Sequence, residues 1–374
     1  MHTSDKHPEK YALAGGPIFD GAGFLFEQAI VISGERITGC LKENDLPADI
    51  PVINVGGATI APGLIDLQIN GCGGVMFNDA STVQTLAHMH TVNLASGCTS
   101  FLPTLVTTCD AEMLRAMEAV GAYRSDHGHE NVLGLHLEGP YINRARKGIH
   151  NERYIRRLSP SMRNALCSYA QKVPLVLTLA PECVDHSDIR LLAEAGVLVS
   201  IGHSDASYQE ATEGIRAGAK TASHLFNAMS QWQSREPGVV GAIFDSPDLA
   251  CGLIADGRHS HFTSIRLAKR LKKDRCFLVT DATAAAGSQI TEFNFCGQRV
   301  YVREGKCVNA DGTLCGSNLT MLLAVENCGR HVGISLEESL RMASQYPARV
   351  MRQEKTLGTI ASGLCANLIV FNPE

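Results

Sequence analysis

Eight apolar runs, spaced along most of the chain and separated by helix-like stretches, constrain the fold most. They are "TIAPGLIDLQI", "TSFLPTLVT", "NVLGLHLEG", "VPLVLTLAPE", "VLVSIGHS", "KTASHLF", "ACGLIADG" and "RCFLVTDA". Several are continuously apolar, as expected of parallel strands buried on both faces. The intervening segments carry helical spacing: Met113, Met117 and Val120 follow Asp110, a candidate N-cap, and Leu336, Leu340 and Ala343 repeat the pattern. A longer insertion, "NAMSQWQSREPGVVGAIFDSPDL", lies between the sixth and seventh runs. Eight alternating strand and helix units predict an α/β fold, a (β/α)8 TIM barrel, with a doubly wound open sheet as the competing topology.

The flanks are different. "YALAGGPIFDG" and "QAIVISGERITGC" alternate like short strands joined by glycine turns, and "TLGTIASGLCANLIVFNPE" reads as further strands. Residues 1–60 and 357–374 are therefore expected to form a small discontinuous β-sandwich domain, and residues 61–356 the barrel. The start, "MHTSDKHPEKYALAGG", reads as a short polar extension without the apolar core of a secretion signal.

Composition narrows the function classes. With 45% hydrophobic and 19% charged residues the chain reads as soluble and globular, and no apolar run is long enough to cross a bilayer. A net charge of −5 offers no basic footprint for nucleic acid and no polybasic face for a membrane. Thirteen scattered cysteines without a C-x-x-C pair argue against a thiolate zinc site and a disulfide framework. They suit a reducing, cytoplasmic setting. Cys72, in the glycine turn "NGCGG", reads as a packing residue rather than a nucleophile.

The chemistry collects where buried runs end. "GLHLEGP" ends in Glu138, "VSIGHS" in His203, "TASHLFNAM" in His224 and "LVTDA" in Asp281. In a barrel, C-terminal strand ends converge on one mouth, so four such endings can meet. Glu138, His203 and His224 make a His₂Glu set suited to zinc or a similar divalent ion with a position open for water. Asp281 has the chemistry to take a proton from that water and return it to a leaving group. His136 shares a strand face with Glu138 and reads as a layer residue beneath the site. His150, in "RARKGIHNER", is either a carbonyl-polarising donor or a surface loop histidine. Arg235 is either an anion-binding fork or a solvated neighbour of Glu236. Asp256 and His259, in "ADGRH", fall at the mouth after the seventh run. "DGTLCGSNL" is a glycine-bearing turn able to present backbone amides to an anion.

With these residues assembled, the chain resembles the N-acetylglucosamine-6-phosphate deacetylases of the amidohydrolase superfamily. "APGLIDLQINGCGGVMFND", "GCTSFLPTLVT", "LGLHLEGPYIN", "KGIHN", "TLAPE", "GHSDA", "SHLFNAM", "REPGVVGAI", "IADGRH", "LVTDAT" and "GTLCGSNLTM" stand in that family's order. The resemblance implies a metal-dependent barrel with a small β-sandwich, and removal of acetate from N-acetylglucosamine 6-phosphate in amino-sugar catabolism. It implies Glu138, His203 and His224 as ligands of one divalent ion, zinc foremost, with iron or manganese as alternatives. Asp281 is implied as acid/base and His150 as the acetamide contact, beside Ile149. Asn227, Ala228 and Arg235 are implied at the phosphate, and Asp256, Gly257, Arg258, His259, Leu314, Cys315 and Gly316 around the sugar. Homodimers or higher homo-oligomers are common in the family, with part of the phosphate site supplied across the interface.

Some features depart from that pattern. Gln68 and Asn70 stand where binuclear relatives have His-x-His, which predicts a one-metal site with both amides orienting water or lining the pocket. "DATAAAG" lacks the usual proline-containing step, Cys315 replaces a smaller polar residue, and the chain ends before one or two further strands expected of the small domain. Two alternatives accompany the leading one: an amidohydrolase acting on another acylated amine or cyclic amide, and a barrel that serves only as a scaffold.

Overall fold

The computed structural model describes residues 9–373. The polar extension falls mainly on residues 1–8 and so outside the described residues; Lys10 already begins a strand. The eight runs form eight parallel strands: β1 (Leu64–Ile69), β2 (Cys98–Val106), β3 (Leu135–Glu138), β4 (Leu175–Leu179), β5 (Leu198–Ile201), β6 (Thr221–Ala222), β7 (Ala250–Leu253) and β8 (Cys276–Leu278). Each pairs with its sequence neighbour. The ends of the sheet then meet: the Asp281 N–H donates to the Gln68 carbonyl at 2.9 Å, and the Asn70 N–H to Ala282 at 2.8 Å. Sequential order and closure exclude the doubly wound sheet, whose strand order reverses.

Helices α1 (Val83–Ala95), α2 (Asp110–His127), α3 (Pro160–Ala170), α4 (His186–Glu194), α5 (Tyr208–Ala217), α6 (Gly238–Asp245) and α7 (Phe262–Lys272) return the chain between successive strands. After β8 come α8 (Met321–Asn327), α9 (Leu336–Ala343) and α10 (Gln345–Val350). Local chemistry explains their ends. At α5, Ser207 Oγ accepts from the Glu210 N–H while the Glu210 carboxylate accepts from the Ser207 N–H, a reciprocal cap. At α2 the N-cap is Cys109, one residue before the expected Asp110. The Asp110 carboxylate lies in the first helical turn, where it favours the helix dipole, and is held by Arg156. No described helix is long and apolar enough to cross a membrane.

The first run splits in two. Thr59–Pro62 pairs with Leu368–Phe371 in a sheet that joins the two ends of the chain, whereas β1 enters the barrel. Gly63 sits at the break, and a Cβ there would lie 2.0 Å from Thr99 Oγ1, so only glycine allows the crossing. A second terminal sheet holds Lys10–Ala14, Gln28–Ser33, Arg36–Lys42 and Val52–Asn54.

A three-stranded antiparallel sheet over Glu292–Phe295, Gln298–Arg303 and Lys306–Asn309 was not foreseen. Its signals are the alternation of Phe293 with Phe295 and Val300 with Val302, and the two-residue turns Cys296–Gly297 and Glu304–Gly305. All four turn residues have positive φ, as primed hairpin turns require.

Candidate active site

Glu138 ends β3 with its side chain directed to the barrel mouth. His203, His224 and Asp281 follow β5, β6 and β8 and have φ of 49°, 22° and 51°. Each costs roughly 1–3 kcal/mol in this left-handed region, a cost the surrounding fold must offset. All four are buried. Glu138 Oε1 lies 3.2 Å from His203 Nε2 and 2.9 Å from His224 Nε2, and the two Nε2 atoms are 3.2 Å apart. His150 Nε2 stands 3.8 Å from Glu138 Oε2, and burial, with His203 adding to it, holds its pKa well below the usual histidine value. It is a buried member of the site, not a surface histidine.

The amide of Gln68 bridges two carboxylates, with Nε2 3.0 Å from Glu138 Oε1 and 3.3 Å from Asp281 Oδ1. Asn70 Nδ2 adds a 2.7 Å bond to the same Asp281 oxygen. Both donors thus converge on Oδ1, leaving Oδ2 for proton exchange. Burial raises the Asp281 pKa, reinforced by the charge of Glu138 and opposed by His224 and His259. Asp256 Oδ2 accepts from His259 Nδ1 at 2.6 Å, so that His259 presents Nε2 to the cavity.

These groups share a cavity of about 520 Å³, a size suited to a small ligand. Ile149, His150, Asn227, Ala228, His259, Leu314 and Gly316 line it, together with Asn70, Glu138, His203, His224 and Asp281. Arg235, Asp256, Gly257, Arg258, Cys315 and Gln68 do not; Gln68 and Asp256 reach the site only through the side chains they hold. Arg235 is exposed on the insertion, Arg258 donates to the Glu304 carbonyl, and Cys315 is buried behind the turn. In that turn the N–H groups of Asp311, Gly312, Thr313, Cys315 and Ser317 are bonded within the fold, while Leu314 and Gly316 are among the turn residues that line the cavity. His136 lies below the mouth, bonded to Thr104 and Thr178, and burial lowers its pKa to about 4, so it stays neutral. The Cys72 thiol, pushed up to about 12 by burial, is inert.

The Amidohydrolase family profile matches residues 59–374, and that of the NagA composite domain matches residues 10–60. The chain belongs to the amidohydrolase family. Among amidohydrolases of known activity it is 41% identical to the N-acetylglucosamine-6-phosphate deacetylase of Haemophilus influenzae, over 98% of this chain and 96% of that one. It is 38% identical to the N-acetylgalactosamine-6-phosphate deacetylase of a Shewanella strain, over 96% and 92%. The crystal structure of N-acetylglucosamine-6-phosphate deacetylase from Pasteurella multocida superposes with a TM-score of 0.95 at 43% identity, covering 97% and 95%.

Membership of the amidohydrolase family implies a divalent metal, and the Glu–His–His cluster fits one. His203 Nδ1 faces the Arg146 carbonyl at 2.8 Å and must donate to it. In the neutral ring Nε2 then carries a lone pair aimed at the Glu138 oxygen, two acceptors face to face. Burial acts to lower the His224 pKa, but its bond to Glu138 overrides this and raises it, so the pocket attracts positive charge. A cation among these three atoms satisfies them all, with the Arg146 carbonyl orienting one ring from behind. Glu138, His150 and His203 also offer atoms within 4.8 Å of one another, so a fourth donor is close.

Sequence reasoning missed several supports. The buried Asp66 accepts from the N–H groups of Gln68 and Thr280 and from the Thr280 hydroxyl, tying β1 to the residue before Asp281. Burial raises its pKa to about 7. Its signal was available, since Asp66, Gln68 and Asn70 alternate on one strand face. Glu182, in "TLAPE", binds Asn143 Nδ2 and Ser204 Oγ and so joins the loops after Glu138 and His203. Thr107 Oγ1 lies 2.7 Å from His150 Nδ1 and 3.2 Å from the Glu138 carbonyl, and no motif announced it.

Proposed function

We propose that this chain hydrolyses N-acetyl-D-glucosamine 6-phosphate to acetate and D-glucosamine 6-phosphate. One observation carries the chemistry: a Glu–His–His cluster shares its cavity with a buried carboxylate that has one oxygen held by two amides and the other free. The substrate rests on the relatives, whose named activities are deacetylations of amino-sugar 6-phosphates.

Glu138, His203 and His224 would hold one divalent ion, with zinc the first choice and iron or manganese also suited to these donors. When bound, the ion supplies Lewis-acid activation of water and of the acetamide carbonyl. Asp281 Oδ2 takes the water proton and later delivers it to the departing amine. Gln68 and Asn70 keep Oδ1 occupied and so orient the carboxylate. The Asn70 Oδ1 atom is buried without a partner and serves as an acceptor for the second water proton. These two amides are engaged as donors to carboxylates, which favours a single ion over a pair.

His150 polarises the acetamide oxygen through Nε2–H. That tautomer requires the Thr107 hydroxyl to turn its single proton away from the Glu138 carbonyl, to which it donates at 3.2 Å, and give it to Nδ1 at 2.7 Å. Thr107→Val should therefore lower kcat by about 10-fold with little change in KM, at the low end of a lost hydrogen-bond contribution. Unchanged kcat would count against the donor role.

His259, oriented by Asp256, addresses the sugar with Ile149, Leu314 and Gly316 beside it, and Gly257, Arg258 and Cys315 support these contacts from behind. Asn227 and Ala228 face the phosphate. Arg235 lies outside this cavity, so its phosphate role belongs to a homodimer in which it reaches the site of a second copy.

A second reading, the C4 epimer N-acetylgalactosamine 6-phosphate, is favoured by the similarity to the Shewanella enzyme. Measuring acetate release from both 6-phosphates and from the free N-acetyl sugars decides the matter. The gluco substrate should give the highest kcat/KM, with the unphosphorylated sugar lower by about 10²-fold or more. Equal rates with and without phosphate would refute the substrate class, and a preference for the galacto epimer would select the second reading.

A further inference from the structure

A second cavity, of about 640 Å³, lies at the opposite end of the barrel, among the segments that precede β4, β5 and β6. It shares no lining residue with the catalytic cavity. Its charged lining is Lys172, Arg190, Arg216, Lys220, Arg352 and a single acid, Glu194. This is a strong local reversal in a chain with net charge −5. Among the described residues, no carboxylate lies within 4.0 Å of any of the five cations.

Helix ends explain part of this charge. The last residues of α3, α4, α5 and α10 (Ala170, Glu194, Ala217 and Val350) all line the cavity, and each C-terminus is equivalent to about half a negative charge. Together with Glu194 they balance roughly three of the five cations. In the lining itself the cations outnumber the single acid by five to one.

We infer that this basal cavity is an anion site that binds a small phosphorylated molecule, separate from the catalytic cavity. The guanidinium groups of Arg190, Arg216 and Arg352 suit phosphoryl oxygens in forked pairs, and Lys172 and Lys220 add point charge. The cavity volume admits a sugar- or nucleotide-sized body behind the phosphate.

Calorimetric titration of the metal-loaded enzyme with inorganic pyrophosphate at low salt tests this. Wild type should bind the probe, with affinity falling as salt is added. Arg190→Gln/Arg216→Gln should weaken binding by about 10-fold or more, the loss of at least one charge-assisted bond, and leave acetate release unchanged. Lys172→Gln/Lys220→Gln is an independent second pair that should weaken binding in the same direction. Absent binding to wild type, or affinity unchanged in both pairs, would each overturn the inference. None of these outcomes depends on which acetamide the enzyme cleaves.

Discussion

Asp281→Asn should lower kcat/KM by about 10³–10⁴-fold, the scale of a lost general acid–base group, while bound metal stays at the wild-type level. The substitution is nearly isosteric. The amide that replaces the carboxylate would still present an oxygen to Asn70 and Gln68, which now hold Oδ1 at 2.7 and 3.3 Å. Barrel closure uses the backbone N–H of residue 281 and is untouched. What disappears is Oδ2, the atom free to exchange a proton. The change also removes a buried carboxylate whose pKa is raised by burial and by Glu138. Thermal stability should therefore hold or rise slightly even as turnover collapses. Elemental analysis, a melting curve and an acetate assay on one preparation check all three points. Wild-type activity in the variant would remove Asp281 from its role.

Glu138→Gln should lose the metal and, with it, the reaction. Wild type is expected to hold one equivalent of divalent ion per chain at full activity, and the variant close to none. Glu138 supplies the only negative charge among the three clustered donors; its oxygen is the point on which both imidazoles and the Gln68 amide converge. A glutamine there offers a neutral oxygen and a competing N–H group. Loss of Lewis-acid activation is worth several kcal/mol, about 10³-fold or more in rate. Excess metal should restore the variant only in part. Stripping wild type with a chelator should abolish acetate release, and adding the ion back should return it. Full turnover without bound metal, or two equivalents at full activity, would contradict a one-metal site.

The two predictions use residues of different legibility. Glu138, His203, His224 and Asp281 were readable because each ends a buried run, where a polar side chain has no place unless it meets something. His136, two residues before Glu138, showed the limit of that argument. It has the same strand face and a metal-ligating side chain, yet it bonds to Thr104 and Thr178 in the barrel interior, and only depth along the axis separates the roles. Arg235 was readable as an anion group from its chemistry, but its distance from the cavity depends on how the insertion packs. The glycine turn "DGTLCGSNL" was read as able to present backbone amides; Asn309 and Cys307 take several of its N–H groups, and only the folded chain shows that Leu314 and Gly316 are among its residues at the cavity. The three-stranded sheet after Asp281 was missed although its hairpin signals were present, because its half-polar strands resemble a loop beside the apolar barrel runs.

Periodicity and the polar endings of apolar runs determined, from sequence alone, an eight-unit barrel and four polar strand ends that meet at its mouth. These are local properties, written within ten residues or so of each strand end. Only the tertiary structure decided which Asp281 oxygen is free, which way His203 is protonated, and that cations crowd the far end of the barrel. Those outcomes depend on partners distant in sequence, such as Gln68 and Asp281, 213 residues apart. Side-chain contacts of that range exist only once the sheet has closed, and no local pattern encodes them.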